Sequence, residues 1–452
     1  GDELARGEGP AAGADVAFSF PDLGYFMCRI DLIDAGRLVE GYEFRVAVVA
    51  PEAVTSRSDM VGVCSHFGQR NYPLPSMDLM RRYGVDQFRD EIHWRACETE
   101  KGTFALPDYA AAYIDHANGL GMRPLIIVDY NNPHYDDDGY PNSAEAIAGF
   151  ATYAAELAKA TRGSVPFFEV WNEWIGGCGM GGRLGDHGPE AYGRLLKATY
   201  AAVKAAVPEA VVVGIGGEYG AECAENVARA IRTAGPESLD AYSIHPYRYP
   251  RPPESSDLVG EVRAIADHAA LDGAEQRVWI TEIGYPTHRT AGGSSDPEQA
   301  RHCVRTLVLL QSSGIVEKVY WYDFKDDGAQ REYNEHNFGL VCHQRFNCAP
   351  KPGVVAMSVF IQLTGDATFI GLERFGDAYA ARYRRPDGVD LLVMWSAGDP
   401  TPARISGVPA RMMNLVGGRA ELSTLGNIVL GADPLYIMGT GLGVTVNPEG
   451  VP

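Results

Sequence analysis

The chain has 452 residues, 46% of them hydrophobic, and a formal net charge of -20. That length supports a large core and more than one domain, while a polyanion of this kind is a poor partner for nucleic acid or an anionic membrane surface. No apolar run reaches the length of a membrane span, and the eight cysteines are too scattered for a small disulfide scaffold.

The chain starts on a polar segment, Gly1-Asp2-Glu3-Leu4, without the pattern of a signal peptide. Residues 1 to about 15 are rich in Gly, Ala and charge and are expected to fray. Tyr25–Leu32 and Tyr42–Val49 then read as strands on either side of the turn Asp34-Ala35-Gly36. So few strands cannot bury both faces of a sheet. Residues 1–55 are therefore expected to join a β-sandwich with the C-terminal region.

From residue 56 to about 350, short apolar runs alternate with amphipathic segments. The predicted strands are Val61–Val63, Gly84–Phe88, Arg123–Val128, Phe167–Trp171, Val211–Gly214, Ala241–Ile244, Val278–Thr281 and Val319–Tyr322. Helical spacing falls between them, as in Ala144–Lys159, Pro189–Ala206, Asp257–Ala270 and Pro297–Ser312. Eight β/α repeats from Val61 to Phe324 match a (β/α)₈ barrel, which takes about 250 residues. A doubly wound open sheet is the rival fold. Residues 351–452 open with a helix, Val354–Leu363. They continue as short strands, among them Tyr379–Tyr383 and Leu391–Trp395 around Pro386-Asp387-Gly388, and read as a β-sandwich packed on the barrel.

Two strands end on glutamates. Phe167-Phe168-Glu169-Val170-Trp171-Asn172-Glu173-Trp174 closes the fourth, and Val278-Trp279-Ile280-Thr281-Glu282-Ile283-Gly284 the seventh. In a barrel both tips open on one face, across the mouth from each other. Two carboxyls across a cleft suit glycoside hydrolysis. A separation of about 5–5.5 Å gives retention and about 6.5–9.5 Å inversion.

Trp-Asn-Glu-Trp on the fourth strand and Thr-Glu-x-Gly on the seventh resemble the retaining glycoside hydrolases of clan A. Within the clan, the chain looks most like family 39, the group of β-xylosidases, α-L-iduronidases and bacterial exopolysaccharide hydrolases. The resemblance implies that Glu173 is the general acid/base, Glu282 the nucleophile, and Asn172 the partner of the sugar 2-hydroxyl. It also implies that Tyr247, in Ser243-Ile244-His245-Pro246-Tyr247, contacts the nucleophile, and that Trp321 lies under the reacting sugar.

Physical chemistry adds to this reading. Tryptophans flanking Glu173 are expected to raise its pKa and keep it protonated. Glu282 needs donors to stay ionised, and Arg89 and Tyr247 are candidates. His245 and His66, at the tips of the sixth and first strands, are further candidates for substrate contact. Each has a plainer alternative. Arg89 can pair with Asp90 or Glu91, His245 can be a satisfied core histidine, and Trp321 can be core filling. Glu218 competes for a catalytic role if the strand count slips.

Other motifs carry less. Gly177-Cys178-Gly179-Met180-Gly181-Gly182 matches a dinucleotide pattern but runs into loop. Asp136-Asp137-Asp138-Gly139 lacks the spaced ligands of a calcium loop, and Cys178 and His187 lack partners at zinc spacing. Cys342 and Cys348 are either a disulfide or two free thiols.

The reading is thus a retaining glycosidase acting on carbohydrate, with no metal or organic cofactor required. A non-catalytic carbohydrate-binding barrel and a transglycosylase are the alternatives. A secreted or periplasmic setting is favoured over a cytoplasmic one, and the oligomeric state is not legible.

Overall fold

The structure is a computed structural model that describes residues 19–183, 185–218, 223–269, 277–420 and 426–447. A hairpin of β1 (Gly24–Asp34) and β2 (Arg37–Val48) comes first. Eight parallel strands then close into a barrel: β3 (Val61–Cys64), β4 (Gln87–His93), β5 (Arg123–Asp129), β6 (Phe167–Val170), β7 (Val211–Glu218), β8 (Ala241–Ile244), β9 (Val278–Ile283) and β10 (Val316–Trp321). Each strand hydrogen-bonds to its neighbours in chain order, and β10 closes against β3.

Helices cross between the strands, among them Ala144–Ala160, Pro189–Ala206, Leu258–Ala269 and Asp296–Ser312. The last starts in a capping box, with Ser295 and Glu298 satisfying each other's backbone N–H groups. The barrel interior is filled by strand residues alone, including Cys64, Leu125, Val213, Ala241, Trp279 and Tyr320. Residues one position off in each strand join the much larger core between strands and helices. This alternation decides which side chains reach the mouth.

A helix, Pro352–Thr364, leads to a six-stranded antiparallel sheet of order β11-β12-β13-β16-β14-β15. Its strands are β11 (Thr368–Phe375), β12 (Ala378–Arg384), β13 (Asp390–Ser396), β14 (Thr401–Met413), β15 (Asn427–Leu430) and β16 (Leu435–Val446). Tyr379, Tyr383, Leu391, Val393 and Trp395 pack into the barrel's outer core. Ala378, Ala380, Leu392, Met394, Ile405 and Ile437 form a separate core on the other face, which gives the domain its sandwich-like character.

The residues before the hairpin reach the C-terminal domain, where Asp22 accepts from the Arg419 N–H. Among the described residues, β1 and β2 hydrogen-bond as strands only to each other and do not join the C-terminal sheet. Arg45 ties the hairpin to the barrel through Asp296 at 2.9 Å. None of the eight cysteines is in a disulfide, Cys342 and Cys348 included. Among the described residues, no helix is long and apolar enough to cross a membrane.

Candidate active site

β4 runs past the predicted Phe88 to His93, carrying Arg89 and Glu91 into the barrel mouth. On β6, Glu169 has the same parity as the interior residue Phe167 and is fully buried. After β6 the backbone turns sharply, with Trp171 and Glu173 both at positive φ (67° and 48°). Such conformations are costly for non-glycine residues and collect at functional sites. The turn sends Trp171 and Trp174 into the helix layer, where their rings pack at 4.7 Å and contact Tyr140. Asn172 and Glu173 go to the cavity.

Arg89 is the hub. Its Nε donates to Glu169 Oε2, its Nη1 to Glu282 Oε1 at 2.6 Å and its Nη2 to Asn172 Oδ1 at 2.8 Å. The guanidinium is 3% exposed, so these charge-assisted bonds act with little screening from water. Tyr247 donates its hydroxyl to the other Glu282 oxygen at 2.8 Å. Because Asn172 gives its carbonyl to Arg89, its amide N–H₂ is turned toward Tyr130 and Cys178 at the cavity wall.

Glu173 and Glu282 face each other across His245. One oxygen from each carboxylate and a ring nitrogen of His245 all lie within 4.8 Å of one another. His245 Nδ1 is 3.0 Å from Glu173 Oε1 and 3.7 Å from Glu282 Oε2. The hydrogen-bond network assigns the tautomer. Thr281 donates its only hydroxyl proton to Glu169 at 2.8 Å, so His245 Nε2 must donate to Thr281 at 3.0 Å. Nδ1 and Glu173 therefore have one proton between them. Gly217 allows this placement, because a Cβ there would come within 2.3 Å of the His245 ring.

The charge state of Glu173 differs from expectation. Burial alone would raise its pKa, but the hydrogen bond and charge of His245 lower it. Burial opposes the charge on His245, yet Glu282 and Glu173 raise its pKa. Burial and the imidazole thus pull this carboxyl in opposite directions, and the imidazole together with the charge of Arg89 outweighs burial.

The other sequence candidates divide. His66 lines the cavity, with Nδ1 2.8 Å from Asp327. Burial pulls its pKa down, but Asp327 outweighs this and lifts it to about 10. Trp321 is a correction. It is fully buried, does not line the cavity, and stacks on Tyr285 in the outer core. Strand parity places Tyr322, one residue on, at the cavity instead, in ring contact with Tyr247 and Phe338. The side chain of Glu218 lies outside the described residues. Asp136 and Asp138 are occupied by loop N–H groups, Asn131, Arg95 and Arg183.

The sequence reading missed Glu169, Glu91, Tyr130, Tyr322, Asp327 and Glu335. Glu169 alone left a signal, as the one charge inside the apolar run Phe167–Trp171.

His66 carries a testable consequence. Its folded pKa of about 10 lies above an unfolded value of about 6.5. The stability it confers is complete below about pH 6.5 and is lost as pH rises toward 10. Urea midpoints of the wild type are expected to fall from about pH 7 to 9 more steeply than those of His66→Gln. Equal slopes would exclude a charged His66.

The cavity has a volume of about 360 Å³, at the small end of the range for ligand pockets, about 300–1,000 Å³. In its wall Asp327 is paired with His66 and Glu91 with His93, Glu335 adds a further carboxylate, and Tyr247, Tyr249, Tyr322 and Phe338 form an aromatic side.

No family model matches the chain, and no curated protein matches it. Solved structures do. A family 39 glycoside hydrolase from the gut symbiont Bacteroides cellulosilyticus WH2 superposes with a TM-score of 0.80 at 25% identity, covering 93% of this chain and 88% of that one. A monomeric beta-xylosidase from Caulobacter crescentus CB15 gives a TM-score of 0.59 at 16% identity, over 85% and 96%. The catalytic domain of a GH30 xylanase C from Talaromyces cellulolyticus gives 0.58 at 13%, over 85% and 98%. The last two bear on fold alone. The closed barrel and the near full-length likeness mark the chain as a glycoside hydrolase, similar in structure to family 39 of clan A.

Proposed function

We propose that the protein is a retaining glycosidase working by double displacement, with Glu282 as nucleophile and Glu173 as acid/base. The observation that carries this reading is that one oxygen of Glu173 and one of Glu282 come within 4.8 Å of each other around His245. An inverting pair holds its carboxyl groups far enough apart for a water to sit between them, and so close an approach of the two oxygens favours direct attack by Glu282.

In the first step a Glu282 oxygen attacks the anomeric carbon as the bond to the leaving oxygen breaks. Glu173 gives that oxygen a proton, supplied from the proton it holds in common with His245. The product is a glycosyl ester on Glu282. In the second step Glu173 removes a proton from water, which attacks the same carbon and releases Glu282. Arg89 and Tyr247 disperse charge on Glu282 before attack and receive it back on release. The amide of Asn172, oriented by Arg89, is placed to hydrogen-bond the sugar 2-hydroxyl.

The substrate class follows from the wall. Acidic groups disfavour a uronate or sulfated sugar, and the aromatic side suits the C–H face of a neutral one. The small cavity favours a short glycoside or a chain end.

Glu173→Ala tests this reading. On an aryl glycoside that needs protonation, a loss of about 10²–10⁴-fold is expected. On an activated aryl glycoside, whose leaving group departs without a proton, added azide should restore turnover by attacking the glycosyl ester from the space the carboxylate left, giving a glycosyl azide of retained configuration by NMR. An azide product of inverted configuration, or unchanged activity, overturns the assignment.

A further inference from the structure

Beside the cavity sits a second cluster that this mechanism does not use. Glu91 and His93 end β4, and Asp129 ends the neighbouring β5, directly paired with His93 in the ladder. Asp129 shares the parity of Leu125 in the barrel interior and of Ile127 on the cavity wall, so its side chain lies on the inward face of β5, buried just behind the cavity lining. One donor atom from each of the three residues lies within 4.8 Å of the others.

Asp129 is fully buried, and neither of its oxygens has a hydrogen-bond partner. A buried carboxylate without a partner must be neutralised, by a proton or by a cation. Arg89 is not available for this, because its three nitrogens are committed to Glu169, Glu282 and Asn172. His93 Nε2 already serves Glu91 Oε1 at 2.8 Å and stands 4.0 Å from Asp129 Oδ1.

We propose that Glu91, His93 and Asp129 form a binding site for one divalent first-row transition cation at the edge of the cavity. Such cations bind imidazole nitrogen and carboxylate oxygen at about 2.0–2.2 Å, so two donors on one ion stand at most about 4.4 Å apart. The 2.8 Å and 4.0 Å separations fall within that limit. One imidazole with two carboxylates is a donor set for manganese, iron or zinc rather than calcium. Two carboxylate charges and a 2+ ion sum to zero, which removes the cost of burying Asp129.

The site would be structural toward the reaction. Glu91 lines the cavity and also bonds Gln69, while Tyr130 packs on His93 at 5.4 Å and accepts from Asn172 at 3.3 Å. A cation would therefore fix one wall of the sugar site without touching Glu173 or Glu282. The inference does not depend on the hydrolase reading.

Mn²⁺ is the probe of choice, because the eight cysteine thiols would compete for a softer ion. Chelator-stripped protein is titrated with Mn²⁺ and followed by electron paramagnetic resonance and calorimetry. One Mn²⁺ per chain is expected, with spin-echo modulation from a coordinated imidazole nitrogen. Asp129→Asn and His93→Gln should each weaken binding by roughly tenfold or more, and His93→Gln should abolish the nitrogen signal. The Glu173→Gln/Glu282→Gln double variant should keep the ion. The absence of saturable binding overturns the proposal. So does wild-type affinity in both single variants, or loss of the ion in the double variant only.

Discussion

Replacing Glu282 with alanine is expected to lower kcat by at least about 10⁴-fold, as removal of a covalent nucleophile does, while leaving the fold intact. The reason for the second half lies in the charge count around Arg89. In the wild type that one guanidinium faces two buried carboxylates, Glu169 and Glu282. Deleting Glu282 leaves a matched pair, Arg89 with Glu169, and removes a repulsion. A denaturant midpoint equal to or above that of the wild type, with turnover near background, is the expected result. Wild-type-like turnover in the purified variant would reject Glu282 as nucleophile. Loss of folding would show that the carboxylate is needed for structure and that the charge count is wrong.

Arg89→Met is expected to have the opposite balance. Two fully or nearly buried carboxylates then lose their cation, and breaking such a pair from one side costs about 3–5 kcal/mol. Activity should also fall to background, because Glu282 loses a donor and Asn172 loses the bond that fixes its amide. A second substitution separates the two effects. In Arg89→Met/Glu169→Gln the unpaired charge at Glu169 is gone, so much of the lost stability should return while activity does not. Chemical denaturation of the four proteins in this cycle gives the coupling directly. If Arg89→Met is as stable as the wild type, the guanidinium does not hold the site together. Lysine is not an adequate substitute there, since it offers a point charge where three directed N–H groups are in use.

The barrel was legible because its strands are short apolar runs between amphipathic segments. All eight appear in the predicted order, and Pro189–Ala206 matches residue for residue. β4 was misjudged at its end. Arg89 is expected to close the strand, yet Asp90, Glu91 and His93 continue it, with Ser65 bonded to Asp90 and with Glu91 and His93 bonded to each other. Ser65 for Asp90 and Glu282 for Arg89 stand too far off in the chain for local pattern to show them.

Trp321 shows a different limit. The strand was located correctly, but its face was not, and in a strand an error of one residue exchanges core for cavity. The proton affinity of Glu173 was read from its neighbours in sequence, whereas His245 and Arg89, brought in from elsewhere in the barrel, lower it against burial.

The hub at Arg89 also bears on how new specificities could arise from this scaffold. Asn172, Glu169 and Glu282 are fastened to a single side chain, so none of them can drift without disturbing the rest. Gln69, Glu335 and Phe338 border the same opening, while Arg89 spends its three nitrogens elsewhere. Selection or redesign for a different sugar would therefore accumulate changes at those three rim positions while the chemistry beneath them stayed fixed.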